Sequence, residues 1–581
     1  MKYKFVLALF VVTGLSACAA KPVKPVAAQT GSVVAKSEAQ AAKRVVKAPE
    51  LPKQKLTEQI LYEFLLAEVA GQRGDLNLAT EAYRDLAMST RDPRVAQRAT
   101  EVALFARATQ QALETATLWQ ELDPESAQAR QTTATLLLSV GRFDQAKVML
   151  EQLIAADKDA AGNAFLQLNN LLSRHVDKKA ALELVQSLAA PYPDLPEAHM
   201  AVAQAAWNAD QFDVAQSEIR RAANLRPDWE MAALFQGQLL QRKSKAEAVV
   251  FFAGFLKSYP QAKEARHIYA KLLAGERRYA ESLEQFKQLL AEFPRNPDLA
   301  MAAGMLSIQL NALEAAQGYL KQALDNGVKD EGSVRIALGQ VNEELKRYDE
   351  AARWYQSVEG GEEYLSAQVK YAQLLAKQNK LSEARLHLQQ LSLQNNQMRV
   401  QAIQAEATLL RDAKAFQEAY DVLSRGLEKL PNYPDLLYDR AMMAEKINRM
   451  DVMEQDLRKL IQIKPDNAHA YNALGYSLAD RGDRLNEALQ LIEKALSMVS
   501  GDPFVLDSMG WVQYRLGNHV KALEFLRRAY ATRADPEIAA HIGEVLWKQG
   551  NRAEAQEVWQ SSLKDNPQNE SLLDVIKKFK P

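Results

Sequence analysis

The stretch from Ala468 to Asn569 decides the fold, because it contains one pattern written three times. The copies read AYNALGYSLADRGDRLNEALQLIEKAL, LDSMGWVQYRLGNHVKALEFLRRAY and AAHIGEVLWKQGNRAEAQEVWQSSLKDNP. Each copy has two glycines seven residues apart, followed by a small residue. The glycine pairs are Gly475 and Gly482, Gly510 and Gly517, and Gly543 and Gly550, and the small residues are Ala488, Ala522 and Ala555.

We interpret each copy as a hairpin of two helices, A and B. The first glycine lies on helix A where helix B comes closest, so a larger side chain would push the helices apart. The second glycine lies at the turn, where a residue free to adopt positive φ ends helix A at little cost. The small residue on helix B completes the close contact. The pattern resembles the tetratricopeptide repeat (TPR), a helical hairpin of about 34 residues.

The small helix-B residue recurs along the chain in steps of 33, 34 or 35 residues. It stands at Ala79, Ala112, Ala146, Ala181, Ala215, Ala248, Ser282, Ala316, Ala351, Ala384, Ala419, Met453, Ala488, Ala522 and Ala555. The fold class is therefore all-α. We expect a TPR solenoid of about fifteen hairpins over residues 56–569, wound as a right-handed superhelix, and a C-terminal capping helix at residues 570–581.

Prolines recur between the units and are expected to close each one, because proline cannot continue a helix. In the C-terminal part they are Pro465, Pro503, Pro536 and Pro567. Two tryptophans, Trp119 and Trp559, fall on B helices and are expected in the core.

The chain starts MKYKFVLALFVVTGLSAC, with two lysines before an apolar stretch too short to span a bilayer. The end of this stretch resembles the lipobox of bacterial lipoproteins, and Cys18 is the only cysteine in the chain. We predict a lipoprotein signal peptide at residues 1–17 and lipidation of Cys18. The alternative is an ordinary signal peptide in which Cys18 is incidental. Residues 18–55 are basic and lack aromatic residues, which predicts a disordered tether.

The rest of the composition excludes several classes of function. The net charge of −1 gives no sign of a nucleic-acid partner. There is no P-loop, HExxH or CxxC motif, and the seven histidines are scattered. We therefore expect no catalytic site, cofactor or metal, and conclude that the chain is not an enzyme.

Partners of TPR solenoids usually bind the concave face, which helix A lines. Aromatic and polar residues on the exposed side of helix A are thus the candidate partner-binding residues. They are Trp207, Asn472, Tyr476, Asp507, Trp511, Arg515, Glu544, Trp547 and Lys548. The alternative for Trp511 and Trp547 is packing between adjacent hairpins.

The lipobox, the basic tether, the TPR body and the C-terminal run from NALGYSLADRGDR to PEIAAHIGEVLWKQG together resemble one family. It is the large proteobacterial outer-membrane TPR lipoproteins of the LbcA-like type. The resemblance implies a lipid-anchored adaptor on the periplasmic side of the outer membrane. Such an adaptor holds a carboxyl-terminal-processing serine protease and presents substrates such as peptidoglycan hydrolases. Two alternatives stay open: a pilotin-like assembly factor, or a general scaffold for an envelope secretion, pilus or polysaccharide-export complex.

Overall fold

The structure, a computed structural model, describes residues 51–156, 161–172 and 177–579. In these residues every regular element is an α-helix, and strands are absent. None of the described helices is long and apolar enough to cross a membrane. The predicted signal peptide, Cys18 and the tether up to residue 50 lie outside the described residues. The described part confirms the all-α prediction.

The described chain forms two compact units, of which the first ends at Arg226. This unit contains five hairpins, each with an odd-numbered helix A and an even-numbered helix B. The helices are α1 (Glu58–Gln72), α2 (Leu76–Thr90), α3 (Pro93–Phe105), α4 (Thr109–Leu122), α5 (Ala127–Ser139), α6 (Phe143–Ala156), α7 (Ala161–Leu172), α8 (Lys178–Ala189), α9 (Pro196–Asn208) and α10 (Phe212–Leu225).

The second unit begins at Pro227 and contains ten hairpins and a terminal helix. Its helices are α11 (Glu230–Lys243), α12 (Lys245–Ser258), α13 (Lys263–Gly275), α14 (Tyr279–Glu292), α15 (Pro297–Gln309), α16 (Leu313–Asp325), α17 (Glu331–Glu344), α18 (Tyr348–Gln356), α19 (Tyr364–Lys377), α20 (Leu381–Gln390), α21 (Asn396–Asp412), α22 (Phe416–Lys429), α23 (Pro434–Lys446), α24 (Met450–Ile463), α25 (Ala468–Arg481), α26 (Leu485–Met498), α27 (Pro503–Arg515), α28 (His519–Thr532), α29 (Pro536–Lys548), α30 (Arg552–Asp565) and α31 (Glu570–Phe579). We number the fifteen hairpins 1 to 15 in chain order.

The turns between helices A and B follow the predicted backbone conformation. Gly482, Gly517 and Gly550 have φ angles of +70°, +85° and +90°, which is the left-handed region that glycine adopts without strain. In other hairpins a residue with a side chain takes the same conformation, for example Arg277 at +60° and Lys346 at +59°. The turn geometry therefore recurs in many hairpins, and only some of them use glycine for it.

Two of the prolines have a different role from the one expected. Pro503 and Pro536 do not follow helix B but occupy the first turn of the next helix A. Proline is suited to this position because the amide hydrogen that it lacks would have no partner inside the helix. Asp502 and Asp535 precede them as N-caps, and their side chains accept hydrogen bonds from the backbone of the first turn.

The small residues of the fifteen B helices lie in the interior of the structure. All fifteen are buried, with at most 4% of their surface exposed. At Gly510 on helix A, an added Cβ atom would lie 2.5 Å from Cγ of Leu526 and 3.0 Å from the backbone oxygen of Ala522. The glycine thus makes room for a large helix-B side chain as well as for the backbone of helix B. Trp119 and Trp559 are buried on their B helices, as predicted.

The terminal helix α31 packs against α29 and α30 through its apolar side. Leu572 is fully buried, and Val575, Ile576 and Phe579 pack against the core of hairpin 15. The last hairpin therefore has a covered apolar face, as the end of a solenoid requires.

Candidate partner-binding site

The A helices of hairpins 13, 14 and 15 contact one another in order, and α31 extends the series by contacting α29. Side chains from this row, together with His519 at the start of α28, line an open pocket of about 570 Å³. Its lining residues are Asp480, Trp511, Tyr514, Arg515, His519, Glu544, Lys548 and Lys578. We call it the C-terminal pocket.

Trp511 lies at the base of the C-terminal pocket and links three neighbouring A helices. Its indole nitrogen donates a hydrogen bond of 3.1 Å to Oδ1 of Asp480, and only 6% of the residue is exposed. Its ring stacks on that of His541, with 4.1 Å between centroids and 25° between planes. The centroid of the Tyr514 ring, on the same helix, lies 5.1 Å from that of Trp511. Trp511 is therefore held rigidly by both of its neighbouring hairpins.

His541 is fixed behind Trp511 by a carboxylate. Its Nδ1 donates to both oxygens of Asp507, at 2.9 and 3.1 Å, and the hydroxyl of Tyr476 lies 3.4 Å from its Nε2. Burial alone would lower the pKa of His541, but the nearby carboxylates of Asp507, Glu537 and Glu544 outweigh burial and raise that pKa. The carboxylates thus favour the protonated ring by more than burial disfavours it.

Glu544 is a nearly buried carboxylate on the wall of the pocket, with 9% of its side chain exposed. It accepts hydrogen bonds from Nζ of Lys578 at 3.2 and 3.4 Å and from the hydroxyl of Tyr514 at 3.3 Å. Burial, together with the charge of Glu544, raises the pKa of Tyr514 to about 12. The terminal helix thus supplies a cation that neutralises a carboxylate of hairpin 15.

Two further cations stand at the last turns of their A helices, Arg515 on α27 and Lys548 on α29. The guanidinium of Arg515 donates to the backbone oxygen of Asp480, and its Nη1 lies 3.9 Å from Oδ1 of the same residue. Lys548 is exposed, with its ammonium 5.7 Å from the ring of Phe579. It forms no ion pair with any carboxylate that the structure describes. The pocket therefore holds one cation whose charge is unbalanced.

The structure brings together six of the nine residues that the sequence singled out. Four of them line the C-terminal pocket: Trp511, Arg515, Glu544 and Lys548. The other two contact its base, because Asp507 and Tyr476 both meet His541, which stacks on Trp511.

The other three predicted residues lie elsewhere. For Trp547 the geometry favours the packing alternative, since its ring lies against Trp559 and Phe579, with centroid distances of 5.8 and 6.0 Å. Asn472 lies on α25 outside the pocket lining, and its buried Oδ1 accepts no hydrogen bond from any described residue. Trp207 belongs to the first unit, where its ring meets Phe212 edge-on at 5.4 Å.

Five residues of the site were missed in the sequence: Asp480, Tyr514, His519, His541 and Lys578. The repeat register carried a signal for two of them. Asp480 stands five residues after the first glycine of its repeat, the same position as Arg515 and Lys548. Lys578 stands 34 residues, one repeat, after Glu544, its ion-pair partner. The spacing of the histidines did not indicate that His541 belongs to the site, because the residues that His541 contacts there lie on neighbouring hairpins.

Among the residues described, no group of three His, Cys, Asp or Glu side chains is placed to hold a metal ion. An aromatic base, a rim of cations and an open mouth are suited to holding part of another chain.

Comparisons with known proteins agree with the repeat architecture. A family model described as tetratricopeptide repeat matches residues 269–327 and 308–364. The TPR repeat-containing protein PA4667 of Pseudomonas aeruginosa is 32% identical over 488 residues, which cover 84% of this chain and 82% of that protein.

Two other similarities are more distant. Cellulose synthase operon protein C of Pseudomonas fluorescens is 26% identical over 456 residues, and the match covers 71% of this chain but only 34% of that protein. Among solved structures, a chain in the crystal structure of the APC/C hetero-tetramer Cut9–Hcn1 has a TM-score of 0.32 and 13% identity. That match covers 90% of this chain and 96% of the other.

Proposed function

Because the chain belongs to the family of TPR repeat-containing proteins, we propose that it is a non-catalytic adaptor of the outer membrane. The TPR repeats make it a scaffold for protein–protein interaction. In the proposed role, lipid at Cys18 anchors the protein on the periplasmic side. The repeats bind a carboxyl-terminal-processing serine protease and present substrates such as peptidoglycan hydrolases to it.

The observation that carries a partner-binding role is the convergence of A-helix side chains on the C-terminal pocket. Trp511 and His541 form a rigid stacked base, and Arg515 and Lys548 stand at the rim. The repeat itself needs only the small residues of the hairpin interface and the turn. A row of aromatic and charged side chains on one side of successive A helices goes beyond that need and is suited to binding.

An adaptor must hold two proteins at the same time, and the length of the chain supports this. Fifteen hairpins supply far more A-helix surface than one bound segment covers. Regular hairpins with short turns also leave few loops that could converge on a catalytic group. The finer proposal, a protease with its substrates, rests on the resemblance of the N-terminal motif and the C-terminal repeats to the lipoprotein family described above.

A second candidate function is a scaffold in a polysaccharide-export complex. The similarity to cellulose synthase operon protein C favours it, although this chain spans only about a third of that relative. The two candidates predict different partners, so one experiment separates them.

The test is an affinity pull-down with the soluble form, residues 19–581, from periplasmic extract of the source organism, followed by mass spectrometry. Resin without the protein is the control. Recovery of a carboxyl-terminal-processing protease together with cell-wall hydrolases would support the adaptor. Recovery of secretin or export subunits without any protease would refute it in favour of an assembly role.

The membrane anchor is tested separately by Cys18→Ser in the full-length chain. We expect this variant to leave the outer-membrane fraction and appear in the soluble periplasm, because it lacks the thiol that carries the lipid. Flotation of the variant with the outer membrane, as for the unchanged protein, would show that the lipid-anchor proposal is wrong.

A further inference from the structure

We propose that the outward face of helix α1 is a self-association surface, through which two copies of this chain pair by antiparallel contact of their first helices. This pairing is separate from the adaptor role and does not involve the C-terminal pocket. Three features of α1 support it: an exposed apolar face, the contrast with the helix at the other end of the repeats, and opposite charges at its two ends.

The outward face of α1 is apolar. Leu61, Leu65 and Val69 follow one another at intervals of four residues, and Tyr62 lies beside them, so the four side chains share one face of the helix. Each of the four residues is between 44% and 62% exposed. Of the fifteen residues of α1, only two alanines are buried. Contiguous exposed apolar side chains of this kind mark interaction surfaces.

The last helix of the described chain shows the opposite arrangement. α31 buries Leu572 and exposes Ser571, Asp574 and Lys577. The end of a repeat array needs such a polar outer face for solubility. Within the described chain, α1 instead leaves leucine, tyrosine and valine side chains in contact with water. Covering them with another apolar surface is therefore favourable.

The charges of α1 argue against a lipid surface as the occupant of this face. Its charged residues are Glu58, Glu63 and Glu68, and it contains no lysine or arginine. Helices that lie on membranes are rich in lysine and arginine on their polar face, which attracts anionic lipid. Glu68 is engaged within the chain, since it accepts a hydrogen bond from the hydroxyl of Tyr83. The face is thus better suited to another protein surface.

The two ends of α1 carry opposite charges, which favour a second copy in antiparallel orientation. Glu58 begins the helix and Arg73 follows its last residue, and both are exposed without an ion pair to any described residue. Two antiparallel copies centred on Leu65 bring Glu58 of each helix near Arg73 of the other, and Leu61 opposite Val69. Parallel copies would place Glu58 against Glu58. Antiparallel packing also brings opposite ends of the two helix dipoles together.

The length of α1 sets the expected strength of the pair. The helix is about 22 Å long, so two copies bury less surface than the roughly 1,600 Å² of a standard protein interface. The contact is isologous, which means that every apolar residue of the face contributes twice. We therefore expect a dimer that forms and separates reversibly as the concentration changes.

Sedimentation velocity of the soluble form, residues 19–581, over a wide range of concentrations tests the pairing. We expect the mass to rise from that of one chain toward that of two. Leu65→Glu should weaken association at least about tenfold, because it replaces the central leucine of both copies by a charge. A chain that stays monomeric at the highest concentration would overturn the inference.

The matched control is Leu386→Glu, on α20. Leu386 is 54% exposed and Leu65 is 51% exposed, so the two variants make the same change at equally exposed positions. Leu386→Glu should leave association unchanged, and equal effects of the two variants would contradict the proposed surface. Glutamate is a good helix former, so both variants should fold, and helical circular dichroism checks this.

Cysteine cross-linking tests the orientation. The soluble form contains no cysteine, because Cys18 is the only one in the chain. Leu65→Cys should therefore form a disulfide-linked dimer on mild oxidation, whereas Leu386→Cys should not. Leu61→Cys and Val69→Cys, when mixed, should link to each other more than either links to itself. Preferred self-linking of these two variants would overturn the antiparallel arrangement.

The pairing and the adaptor role can fail independently. If a monomeric chain recovers the protease from periplasmic extract, the self-association is refuted alone. If Leu65→Glu also removes the protein recovered by that monomer, the face belongs to the recovered protein. A dimer that recovers no protease would refute the adaptor role and keep the pairing.

Discussion

Asp507 and His541, which stand one repeat apart on the A helices of hairpins 14 and 15, are joined by hydrogen bonds of 2.9 and 3.1 Å. Their side chains are only 11% and 14% exposed. The pair therefore links two neighbouring hairpins through a carboxylate and an imidazole ring that are both largely removed from water. Since His541 also stacks on Trp511, the same pair fixes the base of the C-terminal pocket.

The first prediction concerns pH. The carboxylates around His541 raise its pKa in the folded chain. The folded chain therefore binds the proton of His541 more tightly than the unfolded chain does. This contribution to stability is complete below the usual histidine pKa of about 6.5 and is lost as the pH rises through the higher pKa of the folded state. The free energy of unfolding of hairpins 13 to 15, measured in urea, should therefore decline as the pH rises above about 6.5. His541→Gln should remove this decline.

The control for the pH effect is His519→Gln, which removes a histidine at the rim of the pocket and should leave the decline in place. Asp507→Asn should bring the pKa of His541 down, because it removes the nearest carboxylate. The pKa can be read directly by nuclear magnetic resonance titration of labelled histidines. A His541 pKa at or below the usual value would contradict the prediction.

The second prediction concerns the close approach of the two helices in hairpin 14. Gly510→Ala places a Cβ atom 2.5 Å from Cγ of Leu526 and 3.0 Å from the backbone oxygen of Ala522, so the helices must separate. We expect a loss of about 1–3 kcal/mol, the usual cost of overpacking. Amide hydrogen exchange in α27 and α28 measures this locally, since repeat arrays open unit by unit.

Gly318→Ala is the matched control for the helix contact. Gly318 also lies within a helix, α16, but no heavy atom lies within 4 Å of a Cβ added there. The change should stabilise α16 by about 0.5–1 kcal/mol, because alanine loses less backbone entropy than glycine on folding. The close contact would be contradicted if the amide hydrogens of α27 exchanged equally slowly in the Gly510→Ala variant and in the unchanged chain.

The third prediction concerns the turns. Arg277 has a φ of +60°, where its Cβ atom crowds the backbone. Arg277→Gly should raise the stability of hairpin 7 by about 1 kcal/mol, the approximate cost of the left-handed conformation for a residue with a side chain. Asn311→Gly, at +56° in hairpin 8, should gain less, because asparagine tolerates this conformation. Thermal unfolding of both variants tests the order, and a larger gain for asparagine would contradict it.

The fourth prediction compares two ion pairs. Arg440 forms two hydrogen bonds of 2.7 Å with Asp456, whose side chain is 2% exposed. Asp456→Ala leaves the guanidinium largely buried without its partner, and the expected loss is about 3 kcal/mol. By contrast, Lys414 and Glu570 pair on the surface with side chains 71% and 81% exposed. Glu570→Gln should leave stability unchanged within error, so equal urea midpoints for the two variants would refute the comparison.

Much of the fold could be predicted from residue spacing. The series of small helix-B residues predicted fifteen hairpins, and every member is buried. The glycines at positions 482, 517 and 550 predicted the left-handed turns. The prediction for the prolines was wrong at two positions, because Pro503 and Pro536 begin the next helix A and do not end the preceding helix B. A proline between two helices is compatible with both roles, so spacing alone did not distinguish them.

The candidate site could be predicted only in part. The exposed side of helix A supplied Trp511, Arg515, Glu544 and Lys548, all of which line the pocket. It also supplied Trp547, which packs against Trp559 and Phe579. Trp511 stands one residue after the first glycine of its repeat and Trp547 stands four residues after its own. The indole of Trp511 contacts Asp480, whereas that of Trp547 contacts the terminal helix. The position of a residue in the repeat determines which face of helix A it occupies. The side chains of the adjacent helices determine which contact a large ring makes there.

The sequence by itself determined the repeat, its helices and its turns, since these depend on residues within one hairpin and on small side chains where two helices cross. Only the tertiary structure decided the C-terminal pocket. Its base joins Asp507, Trp511 and His541 across neighbouring hairpins, and its wall pairs Glu544 with Lys578 of the terminal helix. The physical reason is that hydrogen bonds and ring stacking need side chains to meet within about 3–6 Å, and the rotation between successive hairpins sets these distances.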